Sequence, residues 1–375
     1  MPASDVVIIG GGVVGCAIAH HLTSQGVVRV TLLESRRLAA GATGICPGGI
    51  RQQFAGEADC RLARHAVRFF ERIDEHLPGA GPFVFERSGY LFLAETADLL
   101  ATFGRNVALQ NRLGIPSTLL DPHDIASLVP AVRLEGVLGG AFCAEDGFLE
   151  DCHGVTHALM ASARSRGARL VAAQATAIAS VGGAWRVATT QGPLDAGAVV
   201  VAAGADSVDL LATAGVTVPI VRERRRLAFS TPTTPGLLAP LVVALERGVA
   251  AKQLSSGVVY MGWLGESSTD DDLTFTEETL RRGATLVPAI GELPVRHVMA
   301  GDYDMTPDRR PVVGAVPGTR GLFVAAGFSG HGFMVAPAVG EALAALIKGD
   351  EPPVPLEAFA PTRFATTGVR EGLVI

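Results

Sequence analysis

Six consecutive residues, Gly10-Gly11-Gly12-Val13-Val14-Gly15, have the spacing G-x-G-x-x-G. The missing side chains let a backbone approach a pyrophosphate closely. Val6 to Gly10 before them is a β-branched run, and Val13 to Leu22 after them is small and apolar enough for a tightly packed helix. The start of such a helix offers unpaired N–H groups and a positive dipole end to phosphate charge. Glu34 ends the next apolar run, Val28 to Glu34, where a carboxylate can accept both ribose hydroxyls of an adenosine and repel a 2′-phosphate. Ser35 and Arg36 adjoin it, and Arg36 and Arg37 read as a solvated helix start.

This fingerprint alone leaves NAD and FAD open, since both use it. Two further glycine-rich segments, Gly41 to Arg51 and Gly327 to Phe333, follow or interrupt apolar strands far along the chain. An extended FAD, whose ring needs backbone contacts beyond the first βαβ unit, would use them.

The elements that must position these segments follow from periodicity. Helical spacing covers Ala58 to His76, Asp98 to Gly114, Asp121 to Leu128, Cys152 to Arg166, Glu277 to Val287 and Val335 to Ile347. Strands are expected in Phe83 to Leu93, broken at Ser88 and Gly89, in Arg169 to Gly204 around a Gly182-Gly183 hairpin turn, in Leu227 to Met261, and in Gly321 to Ala326. The fold class is therefore α/β with an α+β second lobe. A Rossmann-like FAD-binding domain (1–80, 150–220 and 300–375) is interleaved with an antiparallel-sheet substrate domain (81–149 and 221–299).

Composition sets outer limits. With 375 residues the chain exceeds one ordinary core, and its 48% hydrophobic content supplies two. A net charge of −6 and no dense basic block argue against nucleic acid. The one basic cluster, Arg222, Arg224, Arg225 and Arg226, reads as a solvated strand end. No run of about 18 apolar residues suggests a transmembrane segment. Five cysteines without CxxC spacing suggest neither a disulfide framework nor a zinc site, and no other metal site is expected. Reduced thiols and no visible secretion signal give a cytoplasmic expectation.

The runs GATGICPGGIRQQF (Gly41 to Phe54), VVVAAG (Val199 to Gly204), TPDRRPVVG (Thr306 to Gly314) and GFSGHGF (Gly327 to Phe333), together with the fingerprint, resemble the family of FAD-dependent amino-acid oxidoreductases that includes sarcosine oxidase, glycine oxidase and D-amino acid oxidase. The similarity is strongest to the β subunits of sarcosine oxidase and proline dehydrogenase, which act mainly on secondary amines. The resemblance implies that Ala42, Thr43, Gly48, Gly49 and Ile50 lie along the flavin, that Thr176 offers backbone contacts to adenine, and that Ala203 and Gly204 sit near the pyrophosphate. Gly327, Ser329, Gly330, His331, Gly332 and Phe333 would wrap the pyrimidine edge of the ring.

The resemblance also places Arg51 where sarcosine oxidases hold the substrate carboxylate, which a guanidinium grips bidentately. The other reading makes Arg51 an internal partner behind the flavin. His331 is either a general base or a hydrogen-bonding group toward the flavin, the second being favoured. Tyr260 either caps a substrate amine or packs in a strand. Cys46 reads as a small close-packed residue in preference to a flavin anchor or redox thiol. Three departures stand out. Gly301 replaces the flavin-linking cysteine of monomeric sarcosine oxidase, so FAD is expected to be non-covalent. Met334 replaces a carboxylate-binding lysine, and Tyr260 falls near an oxygen-activating lysine. The implied reaction is oxidation of a small amine or amino acid (sarcosine, proline, hydroxyproline or glycine) to an imine, with oxygen or another carrier as electron acceptor. A 2-hydroxy acid dehydrogenase and a partner-dependent flavoprotein subunit are the alternatives.

Overall fold

The computed structural model describes residues 4–264 and 271–365. Its first strand, β1 (Ser4–Ile9), is apolar on both faces and lies mid-sheet, as a parallel strand covered on both sides should. Helix α1 (Val13–Ser24) follows, buried from Val13 to Thr23, and returns the chain to β2 (Val30–Glu34) beside β1. Two helices, Cys152–Ser165 and Gly332–Lys348, pack on α1. A Cβ on Gly340 would stand 2.7 Å from the Ala17 carbonyl carbon, so only glycine permits this helix crossing.

The first sheet has the order Val312–Ala315, Leu322–Ala326, Leu194–Val201, β1, β2, Arg169–Ala172. All neighbours are parallel except the first pair. An antiparallel extension, Ala175–Val181 with Ala184–Thr189, joins Leu194–Val201. Its hairpin turns at Gly182 and Gly183, with φ of +60° and +83°, the left-handed pair that a tight turn demands. Parallel pairing with β1 brings Leu194–Val201, and with it Gly204, back to the nucleotide fingerprint.

The second sheet orders Val295–Met305, Val221–Pro232, Val258–Trp263, Val249–Gln253, Leu241–Ala244, Tyr90–Ala94, Gly139–Cys143 and Ser117–Leu120. It is antiparallel except where Leu241–Ala244 runs parallel to Tyr90–Ala94. A two-residue ribbon, Gly49–Ile50 against Gly147–Phe148, ties the glycine-rich run of the first lobe to a loop of the second.

Three expectations need correction. Phe83 to Leu93 is not a broken pair of strands: only Tyr90–Ala94 is a strand, preceded by an isolated bridge from Glu86 to Phe148. Gly89, with φ +84°, turns the chain and donates its N–H to the Asp146 carbonyl instead of a ladder partner. The last long helix starts at Gly332, three residues early, and tolerates Pro337 inside it. The basic cluster is solvated only in its first half. Arg222 and Arg224 are exposed and meet Asp302, whereas the Arg226 side chain is 7% exposed and meets Asp272 at 3.2 Å, because the helix Asp272–Leu286 covers that end.

Candidate active site

At the fingerprint the glycines do two separate tasks. Side chains on Gly10 or Gly15 would collide with backbone, of Ala202 and of Gly10 respectively, so both are needed to bring strand and helix together. A Cβ on Gly12 would meet only Thr43 Oγ1, at 3.3 Å, and one on Gly204 would meet nothing within 4 Å, which leaves open ground above the helix start. Val13 donates its N–H to Thr43 Oγ1 at 3.1 Å. Among the described residues no protein group accepts from the N–H of Val14 or Gly15, and the first turn has no acidic side chain. This is the composition of an anion site.

Glu34 accepts from Gly11 N (2.8 Å) and Arg36 N (2.7 Å), one bond per carboxylate oxygen, so its second lone pairs are held in fixed directions. Ser35 and Arg36 are exposed beside it. Thr176 is exposed, and its hydroxyl donates to Ala188 O at 3.3 Å within the hairpin. Ala173 continues the strand pairing beside Glu34, its N–H donating to the Glu34 backbone carbonyl at 3.0 Å. Ala203 donates its N–H to Ser207 Oγ, and Gly204 adopts φ +57° next to the fingerprint.

In the second glycine run, Ala42–Ile45 forms a short 3-10 turn, and Gly48 at φ +96° passes against the Leu149 carbonyl. Gly49 faces the Tyr90 hydroxyl so closely that a Cβ has no room. Asp146, fully buried, clamps the two residues after Arg51: it accepts from Gln52 N at 2.8 Å and from Gln53 Nε2 at 3.0 Å, while Gln53 Nε2 also donates to Tyr90 O. Burial, opposed by those bonds and by Arg51, pushes the Asp146 carboxyl up to about 7.

That clamp sets Arg51. Its guanidinium is wholly enclosed, 4.1 Å from the Phe54 ring centroid and 5.6 Å from that of Phe92, and donates to Gln53 O. It also reaches His331 Nε2 at 2.9 Å, joining residues 280 apart in sequence. His331 sits in the third glycine run, whose Gly327 donates to Asp304 Oδ2 at 2.7 Å and whose Ser329 is held at φ +51°. Burial raises the Asp304 carboxyl to about 6. Gly330 faces the Tyr303 ring, and Phe333 packs on Phe70 at 5.5 Å. Burial, then Arg51 and Arg309, hold the His331 imidazole well below its usual range, so it is neutral.

Aromatic rings close the other side. Tyr90 stacks on Phe148 at 5.5 Å, and Tyr260 lies 6.0 Å from both Phe148 and Phe229. Lys252, opposite Tyr260 in the ladder and 1% exposed, sits 5.4 Å from the Phe148 ring. The structure thus brings Arg51, His331, Gly48, Gly49 and Ile50 together, and places Tyr260 on the wall above them. Thr43 meets the fingerprint through its Oγ1, and Ala42 is exposed beside it. Cys46 is a free thiol hydrogen-bonded to Cys152, which lowers its pKa.

Sequence reasoning missed Tyr90, Asp146, Gln53 and Tyr303. One signal was available: the chain has only three tyrosines, and Tyr90, Tyr260 and Tyr303 are close enough to influence one another's ionisation. All three phenols are pushed up by burial, Tyr303 to about 12. The motif from Thr306 to Gly314 is structural in part, since Asp308 is paired with Arg363 and Arg310 with Asp59.

The donor set fits FAD. A helix start whose N–H groups at Val14 and Gly15 are unpaired among the described residues, open ground at Gly12 and Gly204, and a fixed carboxylate at the end of β2 are what the adenosine pyrophosphate half of an elongated dinucleotide requires. The amino-acid sequence matches the model of a family described as FAD dependent oxidoreductase, DAO, over residues 5–346. It is 31% identical to FAD-dependent oxidoreductase domain-containing protein 1 of Bos taurus, covering 96% of this chain and 85% of that protein. It is 28% identical to mitochondrial dimethylglycine dehydrogenase of Mus musculus, covering 96% of this chain but only 44% of that one. Among solved structures, L-proline dehydrogenase from P. horikoshii superposes with a TM-score of 0.91 at 32% identity, covering 99% of this chain and 100% of that one. Glycine oxidase from Geobacillus kaustophilus gives 0.86 at 26% identity, covering 97% and 99%. The cofactor is FAD, and the chain belongs to the family of FAD-dependent oxidoreductases that oxidise amines and amino acids.

Proposed function

We propose that the chain oxidises the carbon beside the nitrogen of a small secondary amino acid, with proline, hydroxyproline and sarcosine as the favoured substrates. The observation that carries this reading is the meeting of Arg51 and His331 beneath an aromatic wall of Tyr90, Phe148 and Tyr260. Similarity over 99% of the chain to a protein described as L-proline dehydrogenase supports it.

When bound, FAD supplies the hydride acceptor, and the protein supplies orientation and electrostatics. A buried cation at Arg51 attracts a substrate carboxylate and, by the same field, favours the neutral over the protonated amine. Two of its five N–H groups meet Gln53 O and His331, and we keep for it the role of holding the substrate carboxylate. The phenols of Tyr90 and Tyr260 stay neutral and can offer O–H donors to the substrate. The surrounding rings exclude water from the imine product.

Anaerobic bleaching of the flavin by proline, hydroxyproline, sarcosine, dimethylglycine and glycine tests the proposal, with a 2-hydroxy acid as control. Reduction by the hydroxy acid alone would refute it. Reoxidation by oxygen against an artificial carrier assigns the electron acceptor, and a gain of activity on adding other subunits would reveal a partner-dependent chain. We also place the protein in the cytoplasm, on the strength of its five free thiols. No helix among the described residues is long and apolar enough to cross a membrane.

A further inference from the structure

We propose that Arg51 is a positioning residue that fixes His331 as the neutral tautomer carrying its proton on Nδ1. The inference rests on the flavin site but not on the identity of the substrate.

A guanidinium has only donors and keeps its charge, so in any hydrogen bond between the two residues the imidazole nitrogen must accept. The contact is 2.9 Å from Arg51 to His331 Nε2, and both residues are buried. Nε2 must then present a lone pair, and a neutral ring has its single proton on Nδ1. A doubly protonated ring would set N–H against N–H beside a fixed positive charge. Arg309 adds a second cation to the same field, and among the described residues no carboxylate pairs with the ring to compensate.

The ring cannot easily turn over to exchange its nitrogens. Phe54 meets it edge-on at 5.2 Å, and its backbone is held at both ends, His331 N donating to Phe328 O and Val335 N to His331 O. Free histidine in water favours the other tautomer, so Arg51 reverses an intrinsic preference. Among the described residues none pairs with Nδ1. Its N–H is therefore a neutral donor available to an oxygen or nitrogen acceptor on the cofactor or the substrate. This chemistry separates His331 from a general base, because a base in this ring could act only through Nε2, and Arg51 occupies that lone pair.

The test uses holoenzyme labelled with ¹⁵N in its histidine rings and long-range ¹⁵N–¹H correlation, with His331→Gln identifying the signal. From about pH 6 to about pH 9, a range that brackets ordinary histidine titration, His331 is expected to show a protonated Nδ1 and a bare Nε2 without change. Arg51→Met is expected to move the population toward the Nε2–H form, the ring staying neutral because its burial is unchanged. Arg51→Lys, which keeps a cationic donor, is expected to retain the Nδ1–H form. An Nε2–H or doubly protonated ring in the wild type overturns the proposal, as does an unchanged Nδ1–H form in a folded Arg51→Met. Because the readout needs no turnover, failure here is distinguishable from failure of the substrate assignment, which only the bleaching assay addresses.

Discussion

Replacing Asp146 with Asn should change how stability depends on pH, because the wild-type carboxyl acts in a direction opposite to that of ion-paired carboxylates. Asp146 is fully buried and its carboxyl is raised from 3.8 to about 7. The folded state therefore holds a proton that the unfolded chain has already released, and stability falls as pH rises through this window. Between pH 5 and pH 8 the relevant interval ends near the folded value of about 7. Two tenfold steps in proton affinity then correspond to roughly 3 kcal/mol lost by the wild type. Asn cannot ionise and can keep Oδ1 as the acceptor for Gln52 N, but its amide N–H2 sets a donor against the Gln53 Nε2 donor, where the hydroxyl oxygen of a protonated acid can still accept. At pH 5 the variant should lie within about 1–2 kcal/mol of the wild type, the cost of one compromised hydrogen bond. By pH 8 it should have gained roughly 3 kcal/mol relative to it. Urea unfolding of both proteins at fixed excess FAD measures the difference, and groups common to both, such as Asp304, cancel. Parallel pH dependence in the two proteins would show that Asp146 does not titrate as its burial requires.

Gly15→Ala should yield protein that retains no FAD through gel filtration, because the added Cβ meets the Gly10 carbonyl on the strand that aims the phosphate loop. Glu34→Ala removes the acceptor for two backbone N–H groups, and if the proposed ribose contact holds, charged hydrogen bonds of about 1.5–3 kcal/mol predict a roughly ten- to hundredfold weaker Kd for FAD by fluorescence titration. Tyr260→Phe should lower kcat/KM about tenfold with the unfolding midpoint unmoved, the loss of a single hydroxyl hydrogen bond to the substrate; unchanged kinetics would assign Tyr260 to packing alone. Arg363→Ala removes the guanidinium partner of Asp308, which keeps the Arg310 N–H, and should cost about 1.5–3 kcal/mol in urea unfolding without altering the substrate profile.

The nucleotide half of this molecule was legible because its constraints are local. Gly10, Gly12 and Gly15 lie within one turn of strand and helix, and Glu34 ends the next strand, so spacing alone placed all four correctly. Hydrophobic period likewise gave the strands of the first sheet other than its edge strand Val312–Ala315, and the glycine pair of the hairpin at 182–183. The glycine runs at 41–51 and 327–333 were visible as motifs, but period says nothing about which distant runs meet. Only the folded chain put His331 against Arg51 and slid Asp146 under Gln52 and Gln53, because such contacts depend on sheet register and on a two-residue ribbon that no propensity predicts. The types of residue needed for flavin binding were written in the sequence, whereas the protonation states of Asp146 and His331 were not, since burial and neighbouring charge exist only once the chain has closed around them.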